Sequence, residues 1–231
     1  DKLHDRILKC FDKFTDISLM TDFETSNLCR ELEIDIAIDF MCHTGDYNRF
    51  SLFLEKLAPI QINFLGYPGT SGSNKLDYIV ADKILIGPDE QKFYSEKIIY
   101  LPDTYQPNEN NKKISNTIVK KESFGLPEEK FIFCCFNSHQ KINPIIFDAW
   151  LYILKNTENS VLWLLKDNGF SQENLKLQIK NNGIDPGRLI FAENLKIEDH
   201  LQRIKFADLF LDTFPYNAHT TCSDALRVGI P

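Results

Sequence analysis

The side chains best suited to bind an anion stand at the start of one predicted helix. His219 precedes, and Thr220 and Thr221 open, the helical pattern TTCSDALRVG at 220–229. Backbone N–H groups point outward at a helix N-terminus and the helix dipole is positive there, which favours a phosphate group. Thr221 and Asp224 also match a capping box, in which both side chains serve only the backbone. The local pattern leaves a phosphate site and a helix cap as alternatives.

Further basic and imidazole side chains follow other predicted strands. His139 and Lys141 come after the apolar run at 131–137, and His200 and Arg203 are three residues apart on a short predicted helix. A lysine can neutralise a phosphate as a point charge. Considered alone, Lys141 is typical of a solvated lysine before a helix. His200 and Arg203 alone are typical of an exposed polar stripe on a helix. Because ligands bind at the carboxyl ends of parallel strands, their common placement favours one anion site on one rim.

Several motifs that would indicate other chemistry are missing. The sequence contains no Walker loop, no G-x-G-x-x-G, no G-x-S-x-G and no Asp pair spaced for metal chelation. None of the 6 cysteines has C-x-x-C spacing, so we predict reduced thiols in a cytoplasmic protein and no metal site. A phosphorylated ligand would then be held by Lys, His and helix N–H groups alone.

The C-terminal half alternates between strand and helix patterns. Continuous apolar runs such as FIFCCFN are typical of strands buried on both faces, and Asn143-Pro144 is typical of a helix start. Such β–α repeats predict a parallel sheet with right-handed crossovers. The predicted strands lie at 131–137, 160–167, 188–193 and 207–214, and the helices start after Asn143 and lie at 171–183, 196–205 and 220–229.

The N-terminal half is similar but less regular. It predicts strands at 34–40, 59–66, 76–82 and 97–102 and a helix at 49–57.

The polar stretch at 104–121 separates the two halves and predicts a linker or irregular insertion. We therefore expect a domain at 1–103, a linker at 104–121 and a domain at 122–231. The last residues follow a helix directly, where an α/β unit normally continues into a strand, so we expect a piece cut from a longer protein at the C-terminus and also at the N-terminus.

Composition excludes several classes of protein. With 26 basic and 33 acidic side chains the net charge is −7, and no long basic block is present. A duplex-binding surface needs such a block, so nucleic acid is not an expected partner. No apolar run reaches the roughly 18 residues of a membrane helix, so we expect no membrane partner either.

Four segments, in order, resemble a known family. LDTFPYNAHTTCSDAL at 211–226 is similar to the LDTxPYNGHTTxxDAL signature of the O-linked N-acetylglucosamine transferases, glycosyltransferase family 41, the SPINDLY-like group. The other segments are APIQ with LGYPGTSG at 58–72 and Asp77-Tyr78 following, Phe136-Asn137 with Lys141-Ile142 and Pro144, and SVLWLL at 160–165.

The resemblance implies an α/β fold with two Rossmann-like parallel-sheet domains facing a cleft, the glycosyltransferase B type. It implies that the C-terminal domain holds a UDP-sugar, with Lys141 at the phosphates as the catalytic residue. The remaining implied contacts are His219, Thr220 and Thr221 at the pyrophosphate, Asp224 at the ribose, His200 by the uracil with Arg203 nearby, and Leu65, Gly66, Tyr67, Pro68 and His43 on the sugar and acceptor side.

The implied activity is transfer of N-acetylglucosamine from UDP-GlcNAc to Ser or Thr hydroxyls of proteins. It would be metal-independent and would invert the anomeric centre, with no cofactor. The resemblance also implies tetratricopeptide repeats elsewhere in the full-length protein. Two alternatives stay open. One is a relative that uses another UDP-hexose or an Asn acceptor. The other is a non-catalytic UDP-binding or scaffold module, motivated by Ala218 and Arg227 where the family usually has Gly and Trp.

Overall fold

Each half of the chain forms a four-stranded parallel sheet with helices, as the sequence predicted. The structure is a computed structural model that describes residues 2–46 and 48–231. It divides into two compact units, unit 1 (Asp1–Pro107) and unit 2 (Asn108–Pro231).

Unit 1 is built on a sheet in the order β1-β2-β3-β4, with every neighbouring pair parallel. The strand and helix predictions at 34–102 are confirmed, each element being a few residues shorter than its apolar pattern. In chain order the elements are α1 (Lys2–Leu8), α2 (Asp22–Glu31), β1 (Ile36–Asp39), α3 (Phe50–Leu54), β2 (Ile60–Asn63), β3 (Tyr78–Ala81) and β4 (Lys97–Tyr100), with a 3-10 helix at Pro88–Phe93.

The two faces of the unit 1 sheet are unequally covered. Ala37 of β1 packs with Leu52 and Phe53 of α3 on one face. Ile36 and Ile38, which alternate with Ala37, are 51% and 44% exposed. Parallel sheets are usually covered on both faces. Unit 1 therefore buries a small core for its length.

Unit 2 places its strands in the order β7-β6-β5-β8, all parallel. All four predicted strands and all four predicted helices are present. The elements are β5 (Phe131–Cys135), α4 (Pro144–Asn156), β6 (Ser160–Leu165), α5 (Gly169–Asn181), β7 (Leu189–Ala192), α6 (Ile197–Ile204), β8 (Leu209–Phe210) and α7 (Thr220–Arg227), with 3-10 helices at Lys121–Phe124, His139–Lys141 and Pro186–Arg188.

Both faces of the unit 2 sheet are buried. Phe133 and Leu162 pack against Trp150 of α4 on one face. Cys134 and Trp163, the next residues along the same strands, pack against Leu201 of α6 on the other. This explains why β5 and β6 read as continuous apolar runs.

The stretch predicted as a linker is irregular but belongs to unit 2 from Asn108 onward. Residues 104–120, all of them described, form no helix or strand. Ile114 packs against the hydrophobic core that includes Leu201 and Ile204 of α6, and Ser115 N–H donates to Glu198 O at 3.0 Å. We call residues 108–117 the strap.

The strand order of unit 2 defines where a ligand would bind. The chain runs from β5 outward to β6 and β7 and then returns to place β8 on the opposite side of β5. A crevice forms beyond the carboxyl ends of the strands at such a reversal, and ligands of open α/β sheets bind there. In unit 2 this position lies between β5 and β8.

Candidate functional site

Lys141 lies at this reversal, against the loop that follows β8. Its ammonium donates to Asn217 O at 2.9 Å and stands 3.8 Å from the centre of the Tyr216 ring. Burial lowers the pKa of Lys141, while Asp212 opposes that shift. The lysine is thus a fixed, partly desolvated positive charge beside the loop that leads to α7.

Asp212 and Thr213 hold that loop in shape. The Asp212 carboxylate accepts from the backbone N–H groups of Thr213 and Ala218, both at 2.7 Å. Asn217 Nδ2 donates to Asp212 Oδ2 at 2.9 Å and to Thr213 O at 2.7 Å. The buried Thr213 hydroxyl donates to Tyr216 O at 2.7 Å. These contacts place the residues before α7 without using the helix's own N–H groups.

The capping-box interpretation of α7 is wrong. The N-cap position is His219, and it makes no side-chain capping bond. The Thr221 hydroxyl instead donates to Asn137 Oδ1, and Asn137 Nδ2 donates to Thr213 Oγ1 at 2.9 Å. The helix begins at Thr220, two residues earlier than a cap at Thr221 requires. Thr221 therefore lies within the first turn, and its side chain is bonded to Asn137, two residues beyond the end of β5.

His219 stands at the N-terminus of α7, beside the lysine. Its ring lies 6.0 Å from that of Tyr216. Burial lowers the pKa of His219, and the neighbouring Lys141 lowers it further. A neutral imidazole still offers one N–H donor. The Thr221 hydroxyl already donates to Asn137. The donors at this helix end are therefore the His219 ring and the backbone N–H groups of the first turn, which begins with Thr220 and Thr221, and the helix dipole there favours an anion.

His200 and Arg203 lie on α6, beside β5. Arg203 is 1% exposed, and its Nε donates to His200 Nδ1 at 3.0 Å. The Arg203 guanidinium lies over Phe136 and Trp163, and it also donates to Glu193 O. The predicted surface stripe is thus wrong for Arg203, which is a buried structural cation. Because His200 Nδ1 accepts this hydrogen bond, the proton of the neutral His200 ring is on Nε2.

Asp224 has a partner that local sequence reasoning missed. Its side chain is 7% exposed and forms an ion pair of 2.5 Å with Lys112 of the strap. Asp224 and Lys112 are 112 residues apart, so no local pattern could join them. Asn137 and Thr213 order the loop before α7. Both belong to the family-like segments, but the sequence indicates no role for their side chains.

The sequence also predicted His139 at this rim, but in the structure its ring has a structural role. Both of its ring nitrogens are occupied at 2.7 Å, Nδ1 by Ser171 Oγ and Nε2 by Leu165 O. The ring therefore ties β5 to β6 and α5.

The residues predicted on the sugar and acceptor side form a separate cluster in unit 1. His43 follows β1, and its ring lies 5.3 Å from Tyr67 and 4.5 Å from Phe50. His43 Nε2 bonds to Ser71 O at 2.9 Å. Asn63, at the end of β2, donates to Tyr67 O at 2.9 Å. The carboxyl ends of neighbouring strands thus bring these side chains together.

The backbone at Leu65 and Gly66 is tightly constrained. Leu65 has φ +80°, in the region that favours glycine, and Gly66 N–H donates to Phe64 O at 3.1 Å across a γ-turn. A Cβ on Gly66 would lie 2.1 Å from Phe40 O. Pro68 is held through its carbonyl by Tyr94 Oη at 3.3 Å. Only glycine fits where this loop crosses the end of β1.

The described residues, 2–46 and 48–231, contain no group of three His, Cys, Asp or Glu arranged to hold a metal ion. Within the same residues no helix is both long and apolar enough to cross a membrane. In unit 2, Lys141, His219 and the first turn of α7 form a cationic, donor-rich rim. Such a rim can bind a diphosphate and stabilise negative charge that grows on it.

Two four-stranded parallel sheets with helices, and a cationic, donor-rich rim at the strand reversal of the second, place this chain in the class of two-sheet α/β proteins. The model of glycosyl transferase family 41 matches residues 2–116 and 106–231, and this chain belongs to that family.

Among curated proteins, the chain is 34% identical over 98% of its length to the Arabidopsis thaliana protein named "Probable UDP-N-acetylglucosamine–peptide N-acetylglucosaminyltransferase SEC". It is 27% identical over its full length to a Petunia hybrida protein with the same enzyme name and the designation SPINDLY. The chain spans 24% and 25% of these relatives, about a quarter of each.

Among solved structures, a point mutant of the Thermobaculum terrenum O-GlcNAc transferase matches with a TM-score of 0.88. That match has 28% identity and covers 100% of this chain and 44% of the other. The agreement extends over both units and confirms the two-sheet fold class implied by the resemblance.

Proposed function

We propose that this chain is the UDP-sugar-binding core of an enzyme that transfers N-acetylglucosamine from UDP-GlcNAc to Ser or Thr hydroxyls of proteins. Family membership and the names of the relatives support the reaction class. The observation that carries the proposal is the position of Lys141, which lies against the loop leading to the N-terminus of α7, at the strand reversal of unit 2.

The proposed chemistry uses the rim to stabilise a leaving group. An acceptor hydroxyl attacks the anomeric carbon, the bond from that carbon to the β-phosphate oxygen breaks, and UDP leaves with the electron pair. The attack comes from the face opposite to UDP, so the anomeric centre inverts. The hydroxyl proton passes to a base or a phosphate oxygen. Lys141, His219 and the α7 N–H groups stabilise the charge on the β-phosphate, so no metal is needed.

The remaining parts of the proposal concern the other ligand contacts of this chain, the acceptor and the location of the protein. Asp224 is assigned to the ribose and His200 to the uracil, while His43 and the loop 65–68 line the sugar and acceptor side. We also propose that the full-length protein carries tetratricopeptide repeats elsewhere, since such solenoids offer the long concave surfaces that would bind a protein acceptor. A cytoplasmic location agrees with six cysteines that are all free.

The proposal is tested by calorimetric titration of UDP into this chain in EDTA. We expect binding without metal, and a loss of affinity of about ten- to a hundredfold in Lys141→Ala, because a hydrogen bond to a charged group contributes about 1.5–3 kcal/mol. Thr221→Ala should also weaken binding, since the change frees Asn137 and loosens the first turn of α7. The matched control is Lys180→Ala, which removes an exposed charge from α5.

A folded wild-type chain that binds no UDP, or an affinity that Lys141→Ala leaves unchanged, contradicts the proposal. If UDP binds as expected, turnover is measured on the full-length protein with UDP-GlcNAc and UDP-glucose in competition. A preference for UDP-glucose would favour the relative with another donor. UDP binding with no turnover in the full-length protein would favour the scaffold module.

A further inference from the structure

The strap is anchored on both sides of Lys112. On one side, Arg227 of α7 donates to the carbonyls of Glu109 and Asn110. On the other, Ser115 N–H bonds to α6 and Ile114 packs into the core. The backbone that carries Lys112 is therefore fixed to the two helices that flank the candidate site.

The Lys112 side chain is partly buried and paired. It is 21% exposed, and its ammonium contacts Asp224 Oδ1 at 2.5 Å. A carboxylate as buried as Asp224 needs a positive partner, because an unpaired buried charge is costly. The contact uses one oxygen, and a carboxylate has acceptor capacity on two. Asp224 can thus be paired with Lys112 and still accept a hydrogen bond from a ligand.

The pair belongs electrostatically to the candidate site. His200 is influenced by both charges, Asp224 acting to raise its pKa and Lys112 to lower it. Asp224 lies on α7, the helix whose first turn faces Lys141, so a bare carboxylate there would repel a diphosphate. With Lys112 in contact, the net charge of the pair is zero.

We infer that Lys112 is a positioning residue of the nucleotide site, holding the Asp224 carboxylate so that it accepts from the hydroxyl groups of the nucleoside sugar. The inference rests on the proposed function, which assigns Asp224 to the ribose. It adds the strap to the site and names the residue that orients the sugar contact. Lys112 acts through Asp224 and is not assigned to the phosphates.

The test uses uridine and UDP as separate probes, titrated into the full chain by NMR for uridine and by calorimetry for UDP. We expect Lys112→Met to weaken uridine about tenfold, the loss of one charge-assisted hydrogen bond, and UDP at least as much. Lys112→Arg should restore most of both affinities. Lys113→Met, at the exposed neighbouring lysine of the strap, is the matched control and should change neither.

A double variant separates positioning from direct contact. If Lys112 acts through Asp224, adding Lys112→Met to Asp224→Asn should weaken uridine no further than Asp224→Asn alone. A Lys112→Met chain that binds uridine normally overturns the inference. If its affinity for UDP is nevertheless lower, Lys112 contacts a phosphate. If only its melting temperature is lower, the role of Lys112 is structural. A wild-type chain that binds neither probe overturns the proposed function and this inference together, whereas normal wild-type binding with an insensitive Lys112 overturns this inference alone.

Discussion

The surroundings of His200 strongly disfavour a protonated ring. Burial and the neighbouring Arg203 guanidinium lower its pKa to about 4 from an ordinary value of 6.5. In the unfolded chain the ring gains a proton as the pH falls through 6.5, while in the folded chain it does so only near 4. The stability that comes from keeping the ring neutral is therefore complete above pH 6.5 and decreases as the pH falls toward 4.

We expect His200 to reduce the free energy of unfolding of unit 2 by about 2 kcal/mol between pH 8 and pH 5. His200→Gln removes the titration and keeps an acceptor for Arg203, so its unfolding free energy should depend less on pH. Urea unfolding of both proteins at the two pH values gives the difference. His4→Gln, in unit 1, is the control. Equal pH dependence in wild type and His200→Gln would show that the ring is not held neutral.

At the scale of elements, the turn after β2 gives the sharpest stability prediction. Gly66→Ala places a Cβ 2.1 Å from the backbone oxygen of Phe40, and backbone cannot rotate away as a side chain can. We expect the substitution to destabilise unit 1 by about 2 kcal/mol or more in chemical denaturation. Gly169→Ala is the control, because a Cβ there meets nothing within 4 Å. It should be neutral or stabilising by about 0.5 kcal/mol.

A strand or helix was predictable from the sequence where its own residues form the apolar pattern or the cap that defines it. FIFCCFN shows a doubly buried strand, and Asn143 caps α4 by accepting from Ile146 N–H at 3.0 Å, as its sequence indicates. The errors arose where a distant group outcompeted a local one. Thr221 could have capped its helix but bonds Asn137 instead. The strap is irregular, as its sequence predicted, but nothing in its local pattern indicates that Lys112 pairs with Asp224, 112 residues further along the chain.

At the scale of the whole molecule, the two units differ in how much apolar surface they bury. Both faces of the unit 2 sheet are packed, while Ile36, Ile38 and Phe40 of unit 1 are 51%, 44% and 54% exposed. Local stability follows buried apolar contact. We expect hydrogen exchange to be slowest in β5 and β6 and clearly faster in β1 and β2, and denaturant to unfold unit 1 first. Gly66→Ala should then move the first transition to lower denaturant and leave the second in place. A single transition with equal protection in both sheets, or a second transition that also moves in Gly66→Ala, would contradict the expectation that the less buried unit unfolds first.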